Sequence, residues 1–388
     1  MQSRRTFALW LFLFCLISLL SVAQVYKVTD LGPLAPTAIN NWGQVAGNLN
    51  GHAFIWTQWG NLDLGTLAGG TFSNAAAIND FGAVAGTANG LGTVISHEPG
   101  VPNQECLDLT QPFVWGRVNG MQGLGTLAIY PGWQDLYGCD VKFYATGING
   151  FGQVVGYTTV YSSFYQWAFL WTSADGMTAF GGSWPPTFVN GISNTGQIVG
   201  QNSYYFQPDT WGIGHATSWK KGGVATDLGT LGGGADVADY GSSADGVNDL
   251  GQVVGWSTTD PIPFSLDSSP VHAVLWTPSG VIRDLGTLSG DVSSVASKIN
   301  FFGQVIGSSG NTLYLNTSCD CSEDSPFEVT GRPFIWTQRS GMQDLNTLIP
   351  GTSGWVLNSA TGINNWGQIV GSGMLNGEQR GFLLTPKL

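Results

Sequence analysis

Apolar and polar positions alternate in short bursts along this chain, and the bursts recur. Residues 145–157 read "ATGINGFGQVVGY", and six reworded copies are spread over the sequence: "PTAINNWGQVAGN", "AAAINDFGAVAGT", "VNGISNTGQIVGQ", "ADGVNDLGQVVGW", "SKINFFGQVIGS" and "ATGINNWGQIVGS". Each copy is followed by a second apolar burst: "HAFIWT", "QPFVWG", "WAFLWT", "HATSWK", "HAVLWT", "RPFIWT" or "RGFLLT". After a short turn comes a third, as in "LDLGTL", "QGLGTL", "TAFGG", "TDLGTL", "RDLGTL" and "QDLNTL". Period-2 alternation in β-branched and aromatic residues, bounded by Gly and Asn, predicts strands. No stretch after residue 24 keeps a 3.6-residue apolar period with caps.

The repeat therefore has four strands: A ends in "A.GIN", B is "GQVVG", C is "HAFLWT" and D is "M.DLGTL". Seven four-stranded sheets predict an all-β, seven-bladed β-propeller. The third burst occurs six times after its C strand. The seventh, "TDLGPL" at 29–34, precedes the first "IN". It predicts a ring closed by the N-terminal strand completing the last blade, which removes the open edges of a linear array. An open solenoid is the alternative, but gives no reason to move one strand to the opposite terminus.

Local chemistry follows from the turns. In "I-N-x-x-G", Asn opens a type I turn and Gly takes the left-handed conformation that starts strand B. Asn40, Asn79, Asn149, Asn248, Asn300, Asn364 and Ser193 are expected to cap these turns. The second glycine (Gly47, Gly156, Gly371) is expected to let backbones approach closely. Trp56, Trp115, Trp171, Trp219, Trp276 and Trp336 on the C strands are expected to pack blade against blade.

Composition and charge sharpen the picture. Only 10% of the 388 residues are charged, Gly numbers 57, and the net charge is −12 with no basic patch, which argues against a nucleic-acid partner. Residues 1–23 read as a signal peptide: Arg4 and Arg5, an apolar run from Phe7 to Leu20, then Ser21-Val22-Ala23. General secretion is preferred to the twin-arginine route that "SRRTF" also resembles, and an uncleaved anchor is disfavoured by the short apolar run. Residues 24–388 then form one propeller domain, expected to be a secreted or periplasmic monomer without a membrane span.

Together, "HAFIWT", "DLGTLGG" and "INxxGQVVG" resemble the bacterial HAF-repeat proteins across essentially the whole chain after the leader. The resemblance implies an extracellular repeat protein and lends no activity to any residue. Relatives often carry a C-terminal sorting segment; this chain ends "RGFLLTPKL", which implies a released or periplasmic protein.

Up-and-down strand order puts the short A–B and C–D turns on one face and the long B–C and D–A loops on the other. The long segments 87–110, 201–214, 257–271, 308–331, 128–145 and 349–358 all belong to the second face, where function is expected. They are aromatic and acidic, which suits sugar rings. Trp133, Tyr137, Trp184, Tyr205 and Trp211, with Asp135 and Asp209, are the candidate ligand-binding residues; the bland alternative is that these aromatics fold the loops onto the blades.

His52, His97, His215 and His272 give no metal set, because three of them occupy the same C-strand slot of different blades. No cofactor fingerprint or catalytic motif appears. Cys106 and Cys139 are expected to form a disulfide joining two long loops; Cys319 and Cys321 would bridge each other, stay reduced or hold a metal. Two function classes remain: a binding or scaffold module for an extracellular glycan or protein ligand, and a polysaccharide hydrolase or lyase.

Overall fold

The computed structural model describes residues 25–94, 104–127, 141–160, 167–180, 187–203, 214–220, 224–232, 241–259, 270–315 and 327–387. They form seven antiparallel sheets, each with strands in the order A-B-C-D. Blade 1 comprises Ala35–Ile39, Val45–Leu49, His52–Thr57 and Gly60–Asp63. Blade 2 spans residues 73–123, blade 3 residues 141–180, blade 4 residues 187–227, blade 5 residues 242–286 and blade 6 residues 293–344. In blade 7, strand A is split into Trp355–Leu357 and Gly362–Ile363; B is Ile369–Leu375 and C is Glu378–Pro386. Strand D of this blade is Tyr26–Asp30, in register from Tyr26 opposite Pro386 to Asp30 opposite Phe382. The protein is a seven-bladed β-propeller closed by its N-terminal strand.

The core lies between blades. Ala46 and Ile55 of blade 1 meet Ile78, Val84 and Phe113 of blade 2, and Val254 and Leu275 of blade 5 meet Val305 and Phe334 of blade 6. The closing seam is built alike, with Leu31, Leu34 and Val370 against Ile39 and Val45. A fully buried Phe such as Phe113 contributes about 2–3 kcal/mol by burial. The C-strand Trp residues do pack as expected: Trp115, Trp219, Trp276 and Trp336 are buried, and Trp56 and Trp171 pack against the inter-blade clusters.

The repeated motifs now have physical causes. Every A strand of blades 1 to 6 carries a bulge three residues before the turn Asn or Ser, at Thr37, Ala76, Thr146, Asn190, Asp245 and Ser297. Glycine is required across from it: a Cβ on Gly156 would overlap the Tyr144 carbonyl oxygen and the ring of Phe169, the Phe of the blade's C strand. In three blades the C-strand His pairs with the D-strand Asp: His52–Asp63 at 3.0 Å, His215–Asp227 at 2.9 Å and His272–Asp284 at 2.9 Å. Each of these Asp residues also accepts the N–H of the Gly two residues on. Burial alone would raise Asp63 and Asp284, but these hydrogen bonds hold both carboxyls below their ordinary range. Arg380 makes the equivalent pair in blade 7, to Asp30 at 3.0 Å across the closing seam.

Two of the long segments differ from the expected loops. Within 87–110 and 308–331 the described residues continue strands B and C as ribbons, Val84–Val94 with Gln104–Gly116 and Val305–Leu315 with Phe327–Thr337. In blade 2, "ANGLG" looks like a loop but pairs because its glycines are small. A Cβ on Gly92 would meet Leu109 at 2.6 Å, and one on Gly90 would meet Leu67 at 2.8 Å. Segment 128–145 is also shorter than expected, since strand A of blade 3 begins at Val141 and carries Tyr144.

Candidate functional site in the central channel

The seven A strands line a central channel. At the A–B end, the turn Asn residues do more than cap. Asn149 accepts the backbone N–H groups of Phe151 and Gln153 through Oδ1, at 3.0 and 3.1 Å. Its Nδ2 donates to Gln153 Oε1 at 2.8 Å and to the Ser193 carbonyl of the next blade at 3.2 Å. The same inter-blade bond runs from Asn40 to Asn79, Asn79 to Asn149, Asn248 to Asn300, Asn300 to Asn364 and Asn364 to Asn40. The turn caps thus form a hydrogen-bonded hoop around a polar cavity of about 250 Å³. Ser193, with no amide to donate, leaves one gap. Asn194 bridges to Asp249 there, at 2.7 and 2.9 Å, as Asn41 bridges to Asp80 beside the intact bond.

This face was expected to be plain, and it is not. Two residues after the turn cap stand Trp42, Phe81, Phe151, Leu250, Phe302 and Trp366, all exposed, from 51% to 84%. A type I turn needs no apolar residue there.

Toward the long-loop face the channel widens to a chamber of about 690 Å³, lined among others by Lys142, Tyr144, Asn190, Asp245, Ser297 and Lys298. Three of the six bulge residues serve the fold. Thr37, Thr146 and Ser297 donate their hydroxyls to the B-strand carbonyls of Ala46, Val155 and Ile306, at 3.2–3.3 Å. An ionised Asp245 cannot do this, having no proton to give. Its Oδ1 instead accepts from Ser243 Oγ at 2.8 Å and Asn190 Nδ2 at 2.9 Å. Burial pushes its carboxyl up to about 6, against the downward pull of Ser243, Lys298 and Asn190. Lys298 occupies a slot filled by Ala or Gly in the other six blades (Ala38, Ala77, Gly147, Gly191, Gly246, Gly362). Burial lowers its ammonium, partly offset by the charge of Asp245.

Neither Asp245 nor Lys298 stands among the sequence candidates. Their signal was available: Lys298 breaks a column of Ala and Gly, and Asp245 is the one charged residue in a column of Thr37, Ala76, Thr146, Asn190, Ser297 and Thr361. Tyr144 was expected on a loop; it lies on the channel wall, 5.5 Å from the Tyr157 ring between centroids. Trp133, Tyr137, Trp184, Tyr205, Trp211, Asp135 and Asp209 lie outside the described residues, as do Cys139, Cys319, Cys321, His97 and the leader 1–23. Cys106 is buried on the blade 2 ribbon, 3% exposed, and is not a free thiol. Among the described residues no helix is long and apolar enough to cross a membrane.

No family model matches the chain, and no curated protein matches it in sequence. Among solved structures, the chain is similar to virginiamycin B lyase from Staphylococcus aureus, at 9% identity and a TM-score of 0.52, over 94% of this chain and 100% of that one. It is also similar to oligogalacturonate lyase from Vibrio parahaemolyticus, at 11% identity and a TM-score of 0.51, over 94% of each chain. At such identities the likeness is one of fold: these are β-propellers.

Proposed function

We propose that this protein is an exported glycan-binding module whose ligand enters the channel chamber from the long-loop face. The observation that carries the reading is the chamber itself. Its volume suits a small ligand or the end of a chain. Its wall offers what a sugar uses: the Tyr144 ring, the Asn190 amide, the Asp245 carboxylate and the Lys298 ammonium. The sequence candidates Trp133, Tyr137, Trp184, Tyr205, Trp211, Asp135 and Asp209 are proposed to extend the contact. Export by the 1–23 leader and a Cys106–Cys139 disulfide steadying the rim complete the proposal.

The enzyme reading is second. A glycosidase uses two carboxyls about 5–10 Å apart. Among the described residues that line the chamber, Asp245 is the one carboxylate. The test is a glycan-array screen of the purified chain beside its Asp245→Asn form, with product analysis on every hit. The binding reading expects retention on the array, weakened by the substitution, and no cleavage products. Shortened or unsaturated products would establish the enzyme instead.

A further inference from the structure

We propose that the glycan is acidic, and that the Lys298 and Lys142 ammoniums in the chamber receive its anionic group, a uronic-acid carboxylate. This rests on the reading that the chamber binds a glycan, and narrows its ligand.

The fold does not ask for Lys298. The slot is a point of close approach between neighbouring A strands. A Cβ on Gly246 would meet the Ser297 carbonyl oxygen at 3.0 Å and Lys298 Cα at 3.2 Å; one on Gly362 would meet Ala38 Cα at 3.1 Å. The approach is close at Gly246 and Gly362 and looser at Gly191, where a Cβ would meet nothing nearer than 3.8 Å, but all six other blades carry Ala or Gly. Blade 6 instead places the longest aliphatic amine there and directs it along the channel wall.

Once there, the ammonium is poorly served. It has three donors. Among the described residues it makes one hydrogen bond, to the Asp245 backbone carbonyl at 3.4 Å, and no carboxylate lies within 4.0 Å of it. Lys298 is half-buried, surrounding protein removes part of its water, and a cation so placed is costly without a partner. Lys142, on the wall of blade 3, makes no hydrogen bond through its ammonium among the described residues.

The charge balance points the same way. The chain carries a formal charge of −12, yet the described wall of this chamber holds two ammoniums against one carboxylate. That carboxylate is itself driven toward its neutral form by burial. A local excess of positive charge in an acidic protein selects an anion. A ligand carboxylate would supply the acceptors Lys298 lacks, while Asn190 and Asp245 remain for hydroxyls.

The experiment is calorimetric titration of the purified chain with length-matched uronic-acid oligosaccharides and with their methyl esters. The ester keeps ring, length and stereochemistry, removes the charge and adds one methyl group, whose bulk the Lys298→Met and Lys142→Met variants control for. The acid should bind about tenfold tighter or more, the yield of a charge-assisted contact. Lys298→Met, and separately Lys142→Met, should shrink that preference, while Lys298→Arg should keep most of it. Thermal melts of each variant show whether the fold is retained. Equal binding of acid and ester would overturn the inference and leave the glycan reading standing. A preference unchanged in a folded Lys298→Met would also overturn it. Tighter binding of a sulfated neutral oligosaccharide would move the anion to sulfate and defeat the uronate. Failure of every oligosaccharide, charged or not, would sink both readings.

Discussion

Asp245→Asn should make the unliganded protein more stable at neutral pH while weakening its binding. The carboxyl sits in the channel wall with its affinity for protons raised from the ordinary 3.8 to about 6, chiefly by burial. A raised carboxyl means that the folded chain holds its proton where the unfolded chain releases it. Stability is therefore greatest below about pH 4 and falls as pH rises from 4 through 6; above that the deficit is constant. The full shift corresponds to about 3 kcal/mol, and water in the channel reduces this to about 1–2 kcal/mol. Asn preserves the acceptor that Ser243 and Asn190 use, removes the charge and turns the second oxygen into a donor facing the channel wall. The assay is urea unfolding of both proteins at pH 4.0, 5.0, 6.0 and 7.5. The two curves of stability against pH should converge at pH 4 and separate by pH 7, the variant higher. Asp63 and Asp284, held low by their His partners, lose their contributions as pH falls below about 4, and do so alike in both proteins. A difference between the two proteins that stays constant with pH, or a variant less stable at pH 7.5, would refute the argument.

Three further outcomes can be checked. Deleting residues 24–34 removes Tyr26, Leu31 and Leu34 from the closing seam and should lower the melting temperature of the whole ring in one cooperative transition; a melt matching the parent would contradict closure. Asn149→Ala should cost about 2–4 kcal/mol in denaturant unfolding, because it strands two N–H groups and a neighbouring carbonyl at a 3% exposed site; as a mere local cap it would cost about 1. Non-reducing peptide mapping should recover Cys106 joined to Cys139; a Cys106–Cys319 linkage would contradict the blade order.

What the sequence disclosed and what it withheld divide along a physical line. The blades were legible because each repeat carries its own turn chemistry, as in Asn149 and Gly152, and its own strand period. The closure was legible because "TDLGPL" is out of place by one strand. The second role of Asn149 was not, because its partner, Ser193, is 44 residues away and belongs to another blade. The ribbon at 87–110 was hidden by glycines that usually end strands but here make room for Leu67 and Leu109. The chamber was hidden because loop aromatics such as Trp133 and Trp211 stand out in the sequence, whereas its own residues do not. Asp245 and Lys298 sit inside ordinary strands and stand out only against the other six copies.

The closing seam also imposes an order on the making of the molecule. Asp30 is synthesised 350 residues before its partner Arg380. At about 5–20 residues per second, the ribosome delivers the second roughly 20–70 s after the first. Throughout that interval the opening strand has a complete edge and nothing to pair with. Its make-up suits the wait: five residues long, with Lys27 and Asp30 near its ends. The same delay gives the ring a built-in test of completeness, since a chain cut short anywhere before residue 378 leaves its first strand without a place to go.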